Sequence, residues 1–165
     1  MEFISIIMGS KSDWNIMQEC INVLKKFDCA FEVIISSAHR SPQRTKEYIN
    51  DAQNRGACVF IAAAGMAAHL AGSVAALTTK PVIGVPLDSS SLGGLDSLLS
   101  TAQMPSGIPV ATMAIGKSGA INAAYLAMQI LALKNAELSG KLIEDRVIKS
   151  KKVELDSNEI EIRII

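Results

Sequence analysis

Phe3-Ile4-Ser5-Ile6-Ile7-Met8-Gly9-Ser10-Lys11-Ser12-Asp13-Trp14 is a short apolar run that stops at a glycine and passes through hydroxyl residues. From about Asp13 to Phe27 the apolar residues Ile16, Met17, Cys20, Ile21 and Leu24 then recur at helical spacing. This reads as a buried strand, a tight loop and a helix. The unit returns at once: Phe31 to Ile35 is a second strand, Ser36-Ser37-Ala38-His39-Arg40-Ser41-Pro42 a second loop, and Pro42 to about Arg55 a second helix. Ser41 suits the N-cap, Pro42 the first helical position, and Gly56 the stop. Further strands are expected at Cys58 to Ala62, Pro81 to Val85 and Val110 to Ile115, and further helices at Ala67 to Leu77, Leu92 to Thr101 and Gly119 to Leu133. Strands alternating with helices at this spacing predict an α/β, three-layer, doubly wound sandwich around a central parallel sheet.

A chain of 165 residues suits one such domain, placed here at residues 1–140, with residues 141–165 set apart as a C-terminal tail or arm. The alternation in Glu159-Ile160-Glu161-Ile162-Arg163-Ile164-Ile165 fits an edge strand, a docking arm or a frayed end. Sixteen basic and sixteen acidic side chains leave no net charge, which argues against a nucleic-acid surface. Between residues 58 and 133 the charged residues are only Lys80, Asp88, Asp96 and Lys117, too few for a stretch wholly hidden inside one small domain, so subunit contacts and a homo-oligomer are expected. Cys20, Cys29 and Cys58 form no CxxC pair and no signal peptide is visible, so the expected compartment is the reducing cytoplasm. The uncharged stretch from residue 57 to 79 is rich in alanine and glycine and contains His69, and is not expected to span a membrane.

In an open parallel sheet the loops at the carboxyl ends of the strands share one edge, where ligands bind. The first loop joins Gly9, which permits an unusual backbone angle and close approach, to the hydroxyls of Ser10 and Ser12 at a helix start, a place suited to phosphate. Asp13 would repel phosphate, and either accepts hydrogen bonds from sugar hydroxyls or caps the helix. In the second loop His39 either exchanges protons with a ligand or caps a helix, and Arg40 offers a fork for phosphate. His69 lies after the third strand on the same edge, orienting a ligand or closing a helix start. Two histidines without clustered cysteines make a poor metal set, so no metal is expected. Met104-Pro105-Ser106-Gly107 reads as a turn, either covering the pocket or simply reversing the chain.

Taken in order, Met8-Gly9-Ser10-Lys11-Ser12-Asp13-Trp14, Ser37-Ala38-His39-Arg40, Ala67-Ala68-His69-Leu70, Gly94-Leu95-Asp96-Ser97-Leu98-Leu99-Ser100, Gln103-Met104-Pro105 and Ala114-Ile115-Gly116-Lys117 resemble the class I PurE family. These are the 5-(carboxyamino)imidazole ribonucleotide mutases of purine biosynthesis. The resemblance runs to about residue 135 and implies a flavodoxin-like fold. It also implies an isomerisation, without cofactor or metal, that moves a carboxylate from the exocyclic amine of an imidazole ribonucleotide to its ring carbon. Within it His39 matches the catalytic histidine, while Ser10, Ser12, Asp13 and Arg40 match residues holding phosphate and ribose, with Ser37, Ala64 and Gly65 nearby. It further implies a homo-octamer and a substrate supplied by an ATP-dependent carboxylase. Ala63 and Met66 stand where the family commonly has glycine, and Ala71 where proline precedes Gly72, which bears on the shape of the third loop. Two other readings remain: the direct carboxylase of the sister class, which typically has Lys where this chain has Arg40, and a non-catalytic nucleotide-binding module.

Overall fold

The computed structural model of the chain describes residues 2–162. Two compact units are distinct, one running through Met128 and the other starting at Gln129. In the first unit β1 (Phe3–Met8), β2 (Phe31–Ile35), β3 (Ala57–Gly65), β4 (Val82–Leu87) and β5 (Ala111–Thr112) form one parallel sheet in the order β2-β1-β3-β4-β5. A 3₁₀ turn over Lys11–Asp13 leads into α1 (Trp14–Lys26). α2 (Pro42–Arg55), α3 (Leu70–Ala75), α4 (Leu95–Ala102) and α5 (Lys117–Ala132) follow. The order reverses between β1 and β3, and the crevice at that switch point is where such a sheet takes its ligand.

The core follows from the pleat. Ile7 on β1, Phe60 and Ala62 on β3 and Val82 on β4 point to one face and pack on Ile49 and Ala52 of α2 and Leu70, Ala71 and Val74 of α3. Each large apolar side chain so buried contributes about 1.5–3 kcal/mol. α1 buries Met17, Cys20, Ile21 and Leu24 as its spacing predicts, and Phe27 at its end meets Tyr125 of α5 edge-on at 5.8 Å. Burial pushes the Cys20 thiol up to about 12, so it is an inert packing group. β2, at the sheet edge, is clamped to α2 by Arg55, which binds Glu32 at 2.6 Å and Asp51 at 2.6 Å.

Several boundaries differ from those expected. α3 begins at Leu70, not Ala67, because Met66 has φ +57°, a backbone no α-helix tolerates, and the chain needs residues 66–69 to turn. β3 runs on to Gly65 because Ala63, Ala64 and Gly65 pair with Val85, Pro86 and Leu87 of β4. β5 is cut to Ala111–Thr112, paired with Ile83 and Gly84. Ser41 does precede α2, but its hydroxyl closes its own loop, accepting from the Ser37 N–H at 3.0 Å and donating to the Ser37 carbonyl at 3.1 Å, and makes no cap to the helix. Gly56 stops α2 with φ +109°.

In the second unit α6 (Ala136–Ile160) is capped by Asn135, whose side chain accepts from the Leu138 N–H at 3.0 Å. Residues 140 and 141 both lie inside it. The edge-strand reading of the tail is overturned for Glu159 and Ile160, which are helical; ion pairs at four-residue spacing, Glu137 with Lys141 and Asp145 with Lys149, favour the helix. Arg163, Ile164 and Ile165 lie outside the described residues. Among the described residues no helix is long and apolar enough to cross a membrane.

Candidate active site

The loops after β1, β2 and β3 meet in a cavity of about 620 Å³. It is lined by Ser10, Ser12 and Asp13 from the first loop, Ser37, His39 and Arg40 from the second, and Ala64, Gly65 and His69 from the third. Every residue singled out from the sequence as catalytic or substrate-binding therefore borders one space. A second hollow of about 380 Å³ shares Gly9, Ser10, Ser37 and Arg40 and adds Lys11 and Ser41, so hydroxyls and two cations surround it.

The first loop is a capping box. The Ser10 side chain accepts from the Ser12 N–H at 3.4 Å, and Asp13 Oδ2 reaches back to accept from the Ser10 N–H at 2.9 Å. Ser12 Oγ donates to Asp13 Oδ1 at 3.2 Å. The cap is thus Ser10, and Asp13 is the carboxylate that returns to it; the Asp13 side chain makes no cap to α1. Burial lifts the Asp13 carboxyl above its usual range, against the hydrogen bonds from Ser10 and Ser12 and the nearby Arg40 charge, which all pull it down. Gly9 does not use the left-handed backbone that glycine permits, and a Cβ there would meet only ordinary contacts, 3.7 Å from Asp13 Oδ2. Its use is its carbonyl, which accepts from Arg40 Nη2 at 2.8 Å and ties the first loop to the second.

Arg40 also donates from Nε to Ser37 Oγ at 3.4 Å, and the Arg40 N–H reaches the same hydroxyl at 3.2 Å. These bonds hold the guanidinium in one orientation, and its remaining N–H donors are of the kind that bind an anion. Beside it His39 Nε2 lies 2.9 Å from His69 Nδ1, the two rings edge to face with centroids 5.0 Å apart. One nitrogen of this pair donates and the other accepts, so at least one ring is neutral while the bond stands. Both rings are exposed at the cavity, and no helix cap occupies either side chain. Among the described residues no group of three histidine, cysteine or acidic side chains is placed to hold a metal ion.

The third wall differs from its expected form. Ala63 is fully buried in β3, and the lining is Ala64, Gly65, Met66 and Ala67. Met104 and Pro105 do not line the cavity: the Met104 sulfur packs on Gly72 of α3, 3.2 Å from where a Cβ would stand, so the turn covers a helix and not the pocket. Ser89, after β4, was not singled out from sequence yet lines the cavity, and a Cβ on Gly65 would collide with its hydroxyl. Its signal was present, since Asp88-Ser89-Ser90-Ser91 follows a strand end as the other site loops do.

The profile described as AIR carboxylase matches residues 3–152. Proteins named N5-carboxyaminoimidazole ribonucleotide mutase are similar to the chain along most of its length. The one from Methanocaldococcus jannaschii is 55% identical over 91% of this chain and 92% of its own. Those from Saccharolobus solfataricus, 54% identical over 86% and 89%, and Bacillus subtilis, 52% over 87% and 88%, are comparable. A crystal structure titled Treponema denticola PurE superposes with a TM-score of 0.88 at 26% identity, covering 98% of this chain and 100% of that one. With a profile match over nearly the whole length and relatives at half identity, the chain belongs to the AIR carboxylase family.

Proposed function

We propose that this enzyme is an isomerase converting 5-(carboxyamino)imidazole ribonucleotide to 4-carboxy-5-aminoimidazole ribonucleotide in purine biosynthesis, with His39 as its acid and base. As the carbamate N–C bond breaks, His39 gives a proton to the exocyclic nitrogen and CO₂ is released within the cavity. The ring carbon attacks that CO₂, and the proton displaced from it returns to His39. The two transfers cancel, so histidine and enzyme end as they began. Each is worth on the order of 10²- to 10⁴-fold in rate. His69, 2.9 Å away, orients the His39 ring. The 5′-phosphate rests on the hydroxyls of Ser10, Ser12 and Ser37 and on the Arg40 fork, with the ribose beside Asp13 and the heterocycle against Ala64 and Gly65.

The observation that carries this reading is the pair of hydrogen-bonded imidazoles on a cavity whose lining also presents hydroxyls and a guanidinium beside a wall of small apolar residues. The relatives' mutase names agree with it. The chain works in the cytoplasm, as a sequence without a CxxC pair suits, and receives its carbamate from an ATP-dependent carboxylase. It assembles as a homo-octamer, a reading supported by the exposed Leu92, Leu95 and Leu99 of the charge-poor middle.

The test supplies purified protein with the carbamate, or with aminoimidazole ribonucleotide and bicarbonate. Efficient conversion of the carbamate is expected; efficient use of the second pair alone would make the protein a direct carboxylase. His39→Asn is expected to lose at least 10²-fold in turnover while still binding nucleotide. Undiminished turnover would remove His39 from the chemistry.

A further inference from the structure

Met66 has φ +57°, and among the described residues only Asp28 shares this backbone without being glycine. Asp28 follows the end of α1, and aspartate tolerates the left-handed region because its short polar side chain bonds locally. Methionine has no such compensation. Nor does packing offset the strain, since Met66 remains 60% exposed. A bulky residue held in an unfavourable backbone without burial points to a role outside folding.

The surroundings say what that role is. On one side Gly65 is pressed against Ser89 so closely that a Cβ would collide with it. On the other, Ala68 is 1% exposed and Leu70 begins α3. The backbone is thus pinned at both ends, and the turn at Met66 sets a long, flexible, apolar side chain on the wall of the cavity that holds His39 and His69. The proposed reaction passes through free CO₂, a small apolar molecule that is lost on reaching water. Retaining it needs an apolar barrier beside the heterocycle. The walls Ala64, Gly65 and Ala67 are too small to reach across a space of about 620 Å³. A methionine, unbranched and adaptable, has the reach.

We propose that Met66 is the retaining side chain of this site: it folds over the bound nucleotide and keeps CO₂ at the ring between the breaking of the N–C bond and the making of the C–C bond. This role rests on the mutase reading above. It is a positioning role, since Met66 exchanges no proton and forms no bond.

Wild type, Met66→Gly and Met66→Leu are each given the carbamate in ¹³C-bicarbonate buffer, with the enzyme-free breakdown subtracted. Label in the carboxylated product and free aminoimidazole ribonucleotide are counted per turnover. Wild type is expected to carry little label and release little free amine. Met66→Gly is expected to raise both at least several-fold, and Met66→Leu to restore most of the retention. Folding is not a confounder, because glycine accepts this backbone and the thermal midpoint of Met66→Gly should hold or rise. Label and free amine in Met66→Gly equal to wild type would overturn the proposal. Wild type that fails to convert the carbamate would overturn the mutase reading itself, and this role with it.

Discussion

Asp13 shows how a single carboxylate can organise a site and destabilise the fold that holds it. Its two oxygens are spent on Ser10 and Ser12, which shapes the first loop, yet burial lifts its pKa above the usual carboxylate range. Between that range and the lifted value the folded chain keeps a proton that the unfolded chain has released. Stability is therefore greatest on the acid side of this window and declines as the pH rises through it. Asp13→Asn removes the titration, and urea unfolding from about pH 4 upward should show a flatter dependence than in wild type. An unaltered slope would mean that burial does not govern this group. The residue type and place of Asp13 were legible from sequence, and so were those of His39 and Arg40, because each follows an obvious strand end. Their partners were not: the 2.9 Å contact of His39 with His69 joins residues thirty positions apart, and nothing in either local pattern requires it. Met66 was visible as an unusual residue, but its left-handed backbone was not, since methionine carries no turn signal.

At the level of elements, legibility follows punctuation. β1, β2 and α2 have the bounds that the sequence predicts: Gly9 marks the end of β1, Pro42 and Gly56 those of α2, and β2 is a mostly apolar run that stops at Ser36. α3, β3 and β5 do not, since their limits are set by pairing to β4 and by the site loop, which are tertiary events. The end of α6 is undecided in the sequence, because apolar residues at alternate positions there fit an edge strand, a docking arm or a frayed end alike, while its stabilising ion pairs lie further upstream. The alanine and glycine richness, seen in the sequence only as a capacity for close packing, has definite addresses. On β4, a Cβ at Gly84 would press into Thr101 of α4 and stand 2.9 Å from Val110 Cγ1. On α5, a Cβ at Gly119 would strike the backbone carbonyl of Ala114. Gly84→Ala should cost about 1–3 kcal/mol in denaturant unfolding, as overpacking of a core generally does. Gly119→Ala should cost more, because a main-chain carbonyl cannot swing aside as a side chain can. The reverse ranking would show that α5 slides on the sheet more easily than α4.

For the molecule as a whole, the scarcity of charge between residues 58 and 133 has two sources. Much of it is the interior, where β3, β4 and one face each of α3 and α5 are buried. The rest is surface: Leu95 is 54% and Leu99 49% exposed on one side of α4, with Leu92 just before it. Isolated exposed leucines need no explanation, but a row of them in a charge-poor stretch does. If it is an interface, the double variant Leu95→Glu, Leu99→Glu should fall to a smaller species in light scattering while keeping its circular dichroism. Persistence of the wild-type mass would place the contacts elsewhere. The sheet order has a different implication. β1 and β3 lie inside the sheet, hydrogen-bonded on both sides, and they carry two of the loops that line the cavity. Their amides belong to the part of a protein that exchanges with solvent only through global opening. The two walls that these strands carry are thus not something that frays away ahead of the fold; warming should leave them intact until the whole first unit gives way at once.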